Sequence, residues 1–382
     1  MTEFDDIRPY NDDEVPAVIA RLIDDSEFID LLVGHKFPLL GKFCPWLMRP
    51  LMRRELRKLT LDMRTVNDLQ KYMSQALGAV LDATTDGYSF EGLENLTEDK
   101  AALYLSNHRD IALDPALVCQ GLLEAGRDSV RIAIGDNLLS KPFAADLMRV
   151  NRSFIVKRSA TARREKLEAL KQLSRYIRHS INQDDVSIWI AQAEGRAKRG
   201  CDRTETALLK MLALSKGEGQ NFAAATGDLN LIPVSISYEY DPCDADKARA
   251  HYLALQGTTY VKEEFEDLGT IQKGLLGYKG RVHVCFGKPV GDRFETADDL
   301  AAEIDRQIYS HYRLFPTNII AWQMQGNTDG LEALKRRWPD EDWSQAHSSF
   351  QSHIGKIPAN HRQIVIEAYA APVDNQLACY SK

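Results

Sequence analysis

The chain has 382 residues, of which 44% are hydrophobic and 27% are charged, as is typical of a globular protein with one large domain or two. The net charge of -7 argues against a general nucleic-acid-binding protein. Because no run of about 18 uncharged apolar residues occurs, we expect no membrane-spanning helix.

The cysteines indicate a reducing environment. Six of them are scattered along the chain, and none forms a Cys-x-x-Cys pair, so the sequence favours neither a zinc site nor a disulfide framework. The N-terminus, Met1 to Asp6, is acidic and lacks a signal-peptide pattern. Together these features predict a cytoplasmic protein.

The first predicted region, residues 1–80, is helical. Asp12-Asp13-Glu14 precedes an amphipathic stretch that predicts a capped helix over residues 17–23, and a further helix is predicted over 62–81. Between His35 and Lys58, large apolar residues alternate with seven Lys and Arg residues. Such a mixture is typical of a helix at a membrane interface, and equally of a helical hairpin packed on the main domain. Both alternatives stay open.

From about residue 100, strand-like and helix-like segments alternate. Strands are predicted over residues 101–105, 130–134, 153–156, 186–190, 231–238 and 281–286, with helices over 115–124, 141–149, 161–181 and 205–214. This alternation predicts an α/β fold with a central, mostly parallel sheet flanked by helices. We assign residues 81–295 to this α/β domain and residues 296–382 to a helical C-terminal extension.

A histidine with two nearby carboxylates follows the first predicted strand of the α/β domain. His108 stands close to Asp110 and Asp114, and a histidine that takes up protons needs such a partner to fix its tautomer. We therefore interpret His108 as a general base. The structural alternative is a helix start at Asp114-Pro115 with Asp110 as a turn residue.

Two basic clusters follow later strands. Lys157 and Arg158 end the strand 153–156, and Glu194-Gly195-Arg196 follows the strand 186–190. In a parallel sheet the ends of these strands would lie at one edge, where ligands bind in α/β folds. Arginine grips phosphate through its planar guanidinium, and glycine permits a tight turn beside a ligand. Solvent-exposed strand ends and a local Glu194–Arg196 ion pair are the structural alternatives.

The order of these clusters resembles that of the membrane-associated glycerolipid acyltransferases, the glycerol-3-phosphate and lysophosphatidic acid acyltransferases with a His-x4-Asp motif. The similarity covers roughly residues 75–290. Four blocks carry it: Asn107-His108 with Asp114-Pro115, Phe154 to Arg158, Glu194-Gly195-Arg196, and Leu231 to Ile236 with its embedded Pro233.

The resemblance implies transfer of a fatty acyl group from acyl-CoA or acyl-carrier protein to a hydroxyl of glycerol-3-phosphate or a lysophospholipid. It implies that His108 is the base, that Arg158, Glu194, Gly195 and Arg196 hold the acceptor with help from Asn107, and that Pro233 shapes the acyl pocket. A thioester is already activated, so no metal or other cofactor is expected.

The resemblance also implies a peripheral location on the inner face of the cell membrane. The expected partners are the acyl carrier, a phosphorylated glycerol acceptor and the membrane surface, with no nucleic acid. Two other functions stay open: an acyltransferase for a different, non-glycerophosphate acceptor, and a catalytically silent membrane-binding relative.

Two departures from the family pattern affect the expected site. His108 and Asp114 form a His-x5-Asp motif, one residue longer than usual. Either a bulge absorbs the extra residue and Asp114 orients His108, or Asp110 has taken that role. Ala193 stands before Glu194 where the family commonly has proline, which changes the expected shape of that loop.

Overall fold

The computed structural model describes residues 3–37, 44–96, 100–139, 141–258 and 266–380, and of His35 only the backbone. The chain divides into two compact units. The first comprises Met1–Ala76 and Val130–Tyr176, and the second comprises Leu77–Ser129 and Ile177–Lys382. The boundaries predicted near residues 80 and 295 stay a prediction.

The described helices and strands are as follows in chain order. The helices are α1 (Val15–Asp24), α2 (Ser26–Lys36), α3 (Pro45–Leu59), α4 (Val66–Thr84), α5 (Leu113–Glu124), α6 (Pro142–Val150), α7 (Arg163–Asn182), α8 (Thr206–Leu212), α9 (Phe222–Gly227), α10 (Asp244–Leu255), α11 (Glu266–Leu276), α12 (Ala297–His311), α13 (Pro316–Met324), α14 (Leu331–Lys335), α15 (Trp343–Gly355) and α16 (Arg362–Tyr380). The strands are β1 (Tyr88–Glu91), β2 (Leu103–Ser106), β3 (Arg131–Gly135), β4 (Ser153–Val156), β5 (Ile188–Ala191), β6 (Leu231–Tyr238) and β7 (Val282–Phe286).

The second unit contains a sheet with the strand order β1-β7-β6-β2-β5. Strand β2 pairs parallel with both β5 and β6, β1 pairs parallel with β7, and β6 and β7 are antiparallel. Every residue of β2, β6 and β7 is buried, as expected for strands covered on both faces. The predicted α/β fold with a mostly parallel sheet is confirmed, and β1 is a strand that the sequence did not predict.

The first unit contains a smaller parallel pair and the N-terminal helices. Strands β3 and β4 pair in parallel, and α6 connects them. Helix α1 begins with Pro16 in its first turn, where the missing backbone N–H of proline costs nothing. Arg21 of α1 binds Asp146 of α6 through two hydrogen bonds of 2.9 Å.

Helix α3 contains most of the described part of the apolar and basic segment 35–58. Its buried residues Met48 and Met52 pack with Ile29 and Val33 of α2. The hairpin alternative therefore accounts for this face of the helix. Residues 38–43 of this segment, which include Leu39, Leu40, Lys42 and Phe43, lie outside the described residues.

The helices that follow residue 315 share one hydrophobic cluster. It contains Ile319, Phe350 and Val373 from α13, α15 and α16, together with Ala248 of α10. The predicted helical extension is thus helical and packs on α10 in the second unit. Across the described ranges, no helix is both long and apolar enough to cross a bilayer.

Candidate active site

The candidate site begins where β2 ends. All four residues of β2 are buried. The parallel pairing of β2 with β5 continues one residue beyond β5, because the backbone N–H of Gln192 donates to the Ser106 carbonyl at 2.8 Å. The chain then turns into His108, whose backbone carbonyl accepts a 2.8 Å hydrogen bond from the N–H of Ala197. The loops after β2 and β5 therefore meet at one edge of the sheet.

The His108 imidazole is oriented by Asp114. Its Nδ1 lies 2.8 Å from Oδ2 of Asp114, a carboxylate that is fully buried. The same oxygen accepts the backbone N–H groups of Arg109 at 2.6 Å and Asp110 at 2.8 Å. A carboxylate surrounded by donors acts as an acceptor only, so Nδ1 carries the proton and Nε2 keeps a lone pair that can accept another.

Tyr238, at the end of β6, completes the environment of this carboxylate. Its hydroxyl donates to Oδ1 of Asp114 at 2.7 Å. Burial, and next the charge of Asp114, raise the pKa of Tyr238 well above its usual value, so the hydroxyl keeps its proton. Each oxygen of Asp114 thus has a partner, which fixes the carboxylate beneath the imidazole.

Asp110 makes different contacts. Its Oδ1 accepts the backbone N–H groups of Ala112 at 3.0 Å and Leu113 at 2.8 Å, both at the start of α5. Burial, and next the nearby Asp114, raise the pKa of this carboxyl. Of the two alternatives left open by the sequence, Asp114 is the carboxylate that contacts His108, and Asp110 satisfies the otherwise unpaired N–H groups of a helix end.

Asn107 joins β2 to β6. Its side-chain N–H donates to the Ile236 carbonyl at 2.9 Å, and its side-chain oxygen accepts the Ile236 N–H at 2.8 Å. The sequence led us to expect a hydrogen bond from this amide to the substrate. In the structure both ends of the buried amide are engaged by the backbone of β6, so its described contacts hold the start of the loop that carries His108.

The loop after β5 places an arginine near the histidine. Gly195 has φ +80°, a conformation that glycine adopts without strain, and it lies one residue before Arg196. Arg196 is half-buried, and within the described ranges its buried Nη1 atom has no hydrogen-bond partner. Glu194 is exposed, and its backbone N–H donates to Glu205 at 3.3 Å. A buried guanidinium nitrogen of this kind suits an anionic ligand.

The remaining predicted residues have other surroundings. Arg158 belongs to the first unit, where its backbone N–H donates to Asp136 at 3.1 Å after the end of β4, and its predicted role in acceptor binding stays a prediction. Pro233 is buried within β6, and its carbonyl accepts the Gly287 N–H at 2.8 Å. Its predicted role as a wall of the acyl pocket also stays a prediction.

Sequence reasoning missed two aromatic residues of the site. Trp189 of β5 lies edge to face with His108, with ring centroids 5.6 Å apart, and its indole N–H donates to Ser106 at 3.0 Å. Tyr238 was placed correctly in a strand, but nothing in the local pattern showed that it would reach Asp114. Among the described residues, no three His, Cys, Asp or Glu side chains converge as metal ligands would.

Comparison with protein-family models agrees with the family that the sequence blocks resemble. Residues 88–237 match the family model described as Acyltransferase. Among solved structures, the chain is similar to the 1-acyl-sn-glycerophosphate (LPA) acyltransferase PlsC from Thermotoga maritima, with 15% identity and a TM-score of 0.40. That similarity covers 82% of this chain and 98% of the PlsC chain. No curated protein matches the sequence.

Proposed function

We propose that this chain transfers a fatty acyl group from a thioester to a hydroxyl of a glycerolipid precursor, because residues 88–237 match the Acyltransferase family model and contain the sequence blocks that resemble that family. The proposed donor is acyl-CoA or acyl-carrier protein, and the proposed acceptor is glycerol-3-phosphate or a lysophospholipid. The observation that carries the proposal is the 2.8 Å contact between His108 Nδ1 and Asp114, which leaves Nε2 available as a base.

The proposed reaction needs one proton carrier. His108 Nε2 takes the proton of the acceptor hydroxyl while the hydroxyl oxygen attacks the thioester carbonyl carbon. The tetrahedral intermediate then collapses, the C–S bond breaks, and the leaving sulfur takes the proton from the imidazolium. General base catalysis of this type contributes about a hundred- to ten-thousand-fold to the rate. The Asp114 carboxylate stabilises the imidazolium that forms between these steps.

We assign the phosphate of the acceptor to Arg196. Its buried Nη1 atom is a donor without a partner in the described residues, and a phosphate oxygen would satisfy it. The hydrogen bond from Ala197 to the His108 carbonyl keeps the loop that carries Arg196 beside the base. Arg158 and Glu194 are proposed to assist in acceptor binding, on the strength of the sequence blocks.

We further propose that α3 contacts a membrane surface, which would supply the acyl chains. Trp46 is 73% exposed and Leu47 is 50% exposed. Leu47, Leu51, Arg54 and Lys58 follow each other at intervals of four, three and four residues, so they share one helix face. Apolar side chains beside cations suit the interface of an anionic bilayer, and we place the protein at the inner face of the cell membrane.

The proposed function is tested by measuring free thiol release from purified protein with a panel of acyl-CoA chain lengths. The acceptors to compare are glycerol-3-phosphate, a lysophosphatidic acid, and the unphosphorylated alcohols glycerol and monoacylglycerol. We expect thiol release that depends on a phosphorylated acceptor. Equal rates with unphosphorylated alcohols would point to a different acceptor class, and vesicle binding without thiol release would favour a silent relative.

A further inference from the structure

A buried lysine contacts the loop that carries the catalytic histidine. Lys247 of α10 is 6% exposed, and its Nζ donates to the backbone carbonyl of Arg109 at 2.6 Å. The N–H of the same residue, Arg109, donates to Asp114. Both backbone polar groups of the residue next to His108 are therefore held by buried charged side chains.

Lys247 is itself held by a carboxylate. Its ammonium forms an ion pair with Asp241, in the turn that leads into α10. Burial acts to raise the pKa of Asp241, but the cations of Lys247 and Arg109 lower it overall. Removing both ions of such a pair from water is unfavourable and offsets much of their attraction, so a pair of this type is weak evidence for stability alone. A role in fixing the position of a neighbouring group accounts for it better.

The C-terminal helices reach the same turn. The Tyr369 hydroxyl of α16 accepts the backbone N–H of Asp241 at 2.8 Å and lies 3.1 Å from Oδ2 of Asp244. His353 of α15 contacts the same oxygen of Asp244 at 2.6 Å. A cavity of about 20 Å³ lies here, lined by Arg109, by Lys247 and, from α16, by Tyr369. A continuous set of contacts thus runs from the C-terminal helices to the loop after β2.

We propose that Lys247 is a positioning residue for His108, and that the C-terminal helices act on acyl transfer through Tyr369. The inference rests on the proposed function for its kinetic part. Lys247 fixes the Arg109 carbonyl, and the fixed peptide units direct two N–H groups at the carboxylate that orients the imidazole. A displacement of about 1 Å at a reacting group can reduce a rate by about a hundredfold.

Two variants test this inference without leaving an unpaired buried charge. The double variant Lys247→Met with Asp241→Asn removes both partners of the ion pair, and Tyr369→Phe removes one hydroxyl. The control is Asp374→Asn, which changes the 2.7 Å contact from Trp322 Nε1 between α13 and α16 but touches neither Asp241 nor Lys247. All are compared with the unmodified full chain by circular dichroism.

The first readout is amide hydrogen exchange in a peptide that covers residues 107–114, which needs no activity. We expect exchange to become several-fold faster in both variants and to stay unchanged in the control. The second readout is thiol release, in which the double variant should lose about ten- to a hundredfold in kcat with little change in acceptor KM. Unchanged exchange in the folded variants would overturn the inference. If the wild-type protein releases no thiol but the variants still show faster exchange, the proposed function is overturned and the positioning role of Lys247 is kept.

Discussion

The two carboxylates near His108 make a sharp comparison, because the Asp→Asn change is nearly isosteric at both. In Asp114→Asn, the amide oxygen can take the place of Oδ2 and accept the same three hydrogen bonds, from the His108 ring and two backbone N–H groups. The new NH2 group then faces the Tyr238 hydroxyl, which can rotate to accept a hydrogen bond from it. The fold is therefore retained. Of the four charge-assisted hydrogen bonds to Asp114, three become neutral and the fourth, from Tyr238, is reversed, which we expect to cost about 1–3 kcal/mol of stability.

The larger effect of Asp114→Asn is on the rate. A neutral amide cannot stabilise the His108 imidazolium, so the benefit of general base catalysis is lost and kcat should fall by about a hundred- to ten-thousand-fold. The acceptor KM should change little, because Asp114 is fully buried and its contacts are with protein groups.

Asp110→Asn should behave in the opposite way. The amide oxygen can still accept the N–H groups of Ala112 and Leu113, so the start of α5 is kept. Burial raises the pKa of Asp110, so ionisation of this carboxyl is less favourable in the folded protein than in the unfolded one. The free energy of unfolding therefore decreases as pH rises above the unfolded pKa of about 3.9. At neutral pH the uncharged Asn should leave kcat within about threefold of wild type and leave the melting temperature unchanged or raised.

The assay is thiol release at saturating acceptor, paired with thermal melts followed by circular dichroism. A loss of kcat in Asp110→Asn as large as that in Asp114→Asn would refute the assignment of Asp114 as the orienting residue. So would a folded Asp114→Asn protein with wild-type turnover.

Three further predictions concern the acceptor, the membrane and pH. Arg158→Ala and Arg196→Ala should each raise the acceptor KM, Arg196 by about tenfold or more, with a smaller change in kcat, as measured by initial rates. Trp46→Ala should weaken sedimentation with anionic vesicles, whereas Leu255→Ala, at another exposed apolar residue, should not. Burial lowers the pKa of His283 to about 4, so between pH 7.5 and pH 5 the protein should lose about 2 kcal/mol of stability that a His283→Gln variant does not lose, as followed by urea titration.

The alternating part of the sequence predicted the sheet well. The strand predicted over residues 101–105 appears as β2, Leu103–Ser106, and the run 231–238 appears as β6 with the same bounds. These strands are fully buried, so their largely apolar, β-prone runs were clear signals. Strand β1 was missed because its four residues alternate between half-buried and exposed positions and include two polar side chains.

The site was only partly predictable, for a geometric reason. In the sequence, Asp110 and Asp114 both lie close enough to His108 to contact its imidazole. In the structure, the backbone N–H groups of Arg109 and Asp110 hold the Asp114 carboxylate in that position. Asn107 was singled out by its position in the motif, but its partners lie on a strand about 129 residues later. Lys247 contacts Arg109 across 138 residues of chain, and no local pattern marks such a contact.

The most direct test of the central claim is single-turnover thiol release by a His108→Ala variant, with His347→Ala on α15 as a control for the loss of an imidazole. We expect the His108 variant to keep its circular dichroism spectrum and to lose at least about a hundredfold in rate, while the control keeps the wild-type rate. A folded His108→Ala protein that releases thiol at the wild-type rate in the presence of acceptor would contradict the claim that this imidazole is the base.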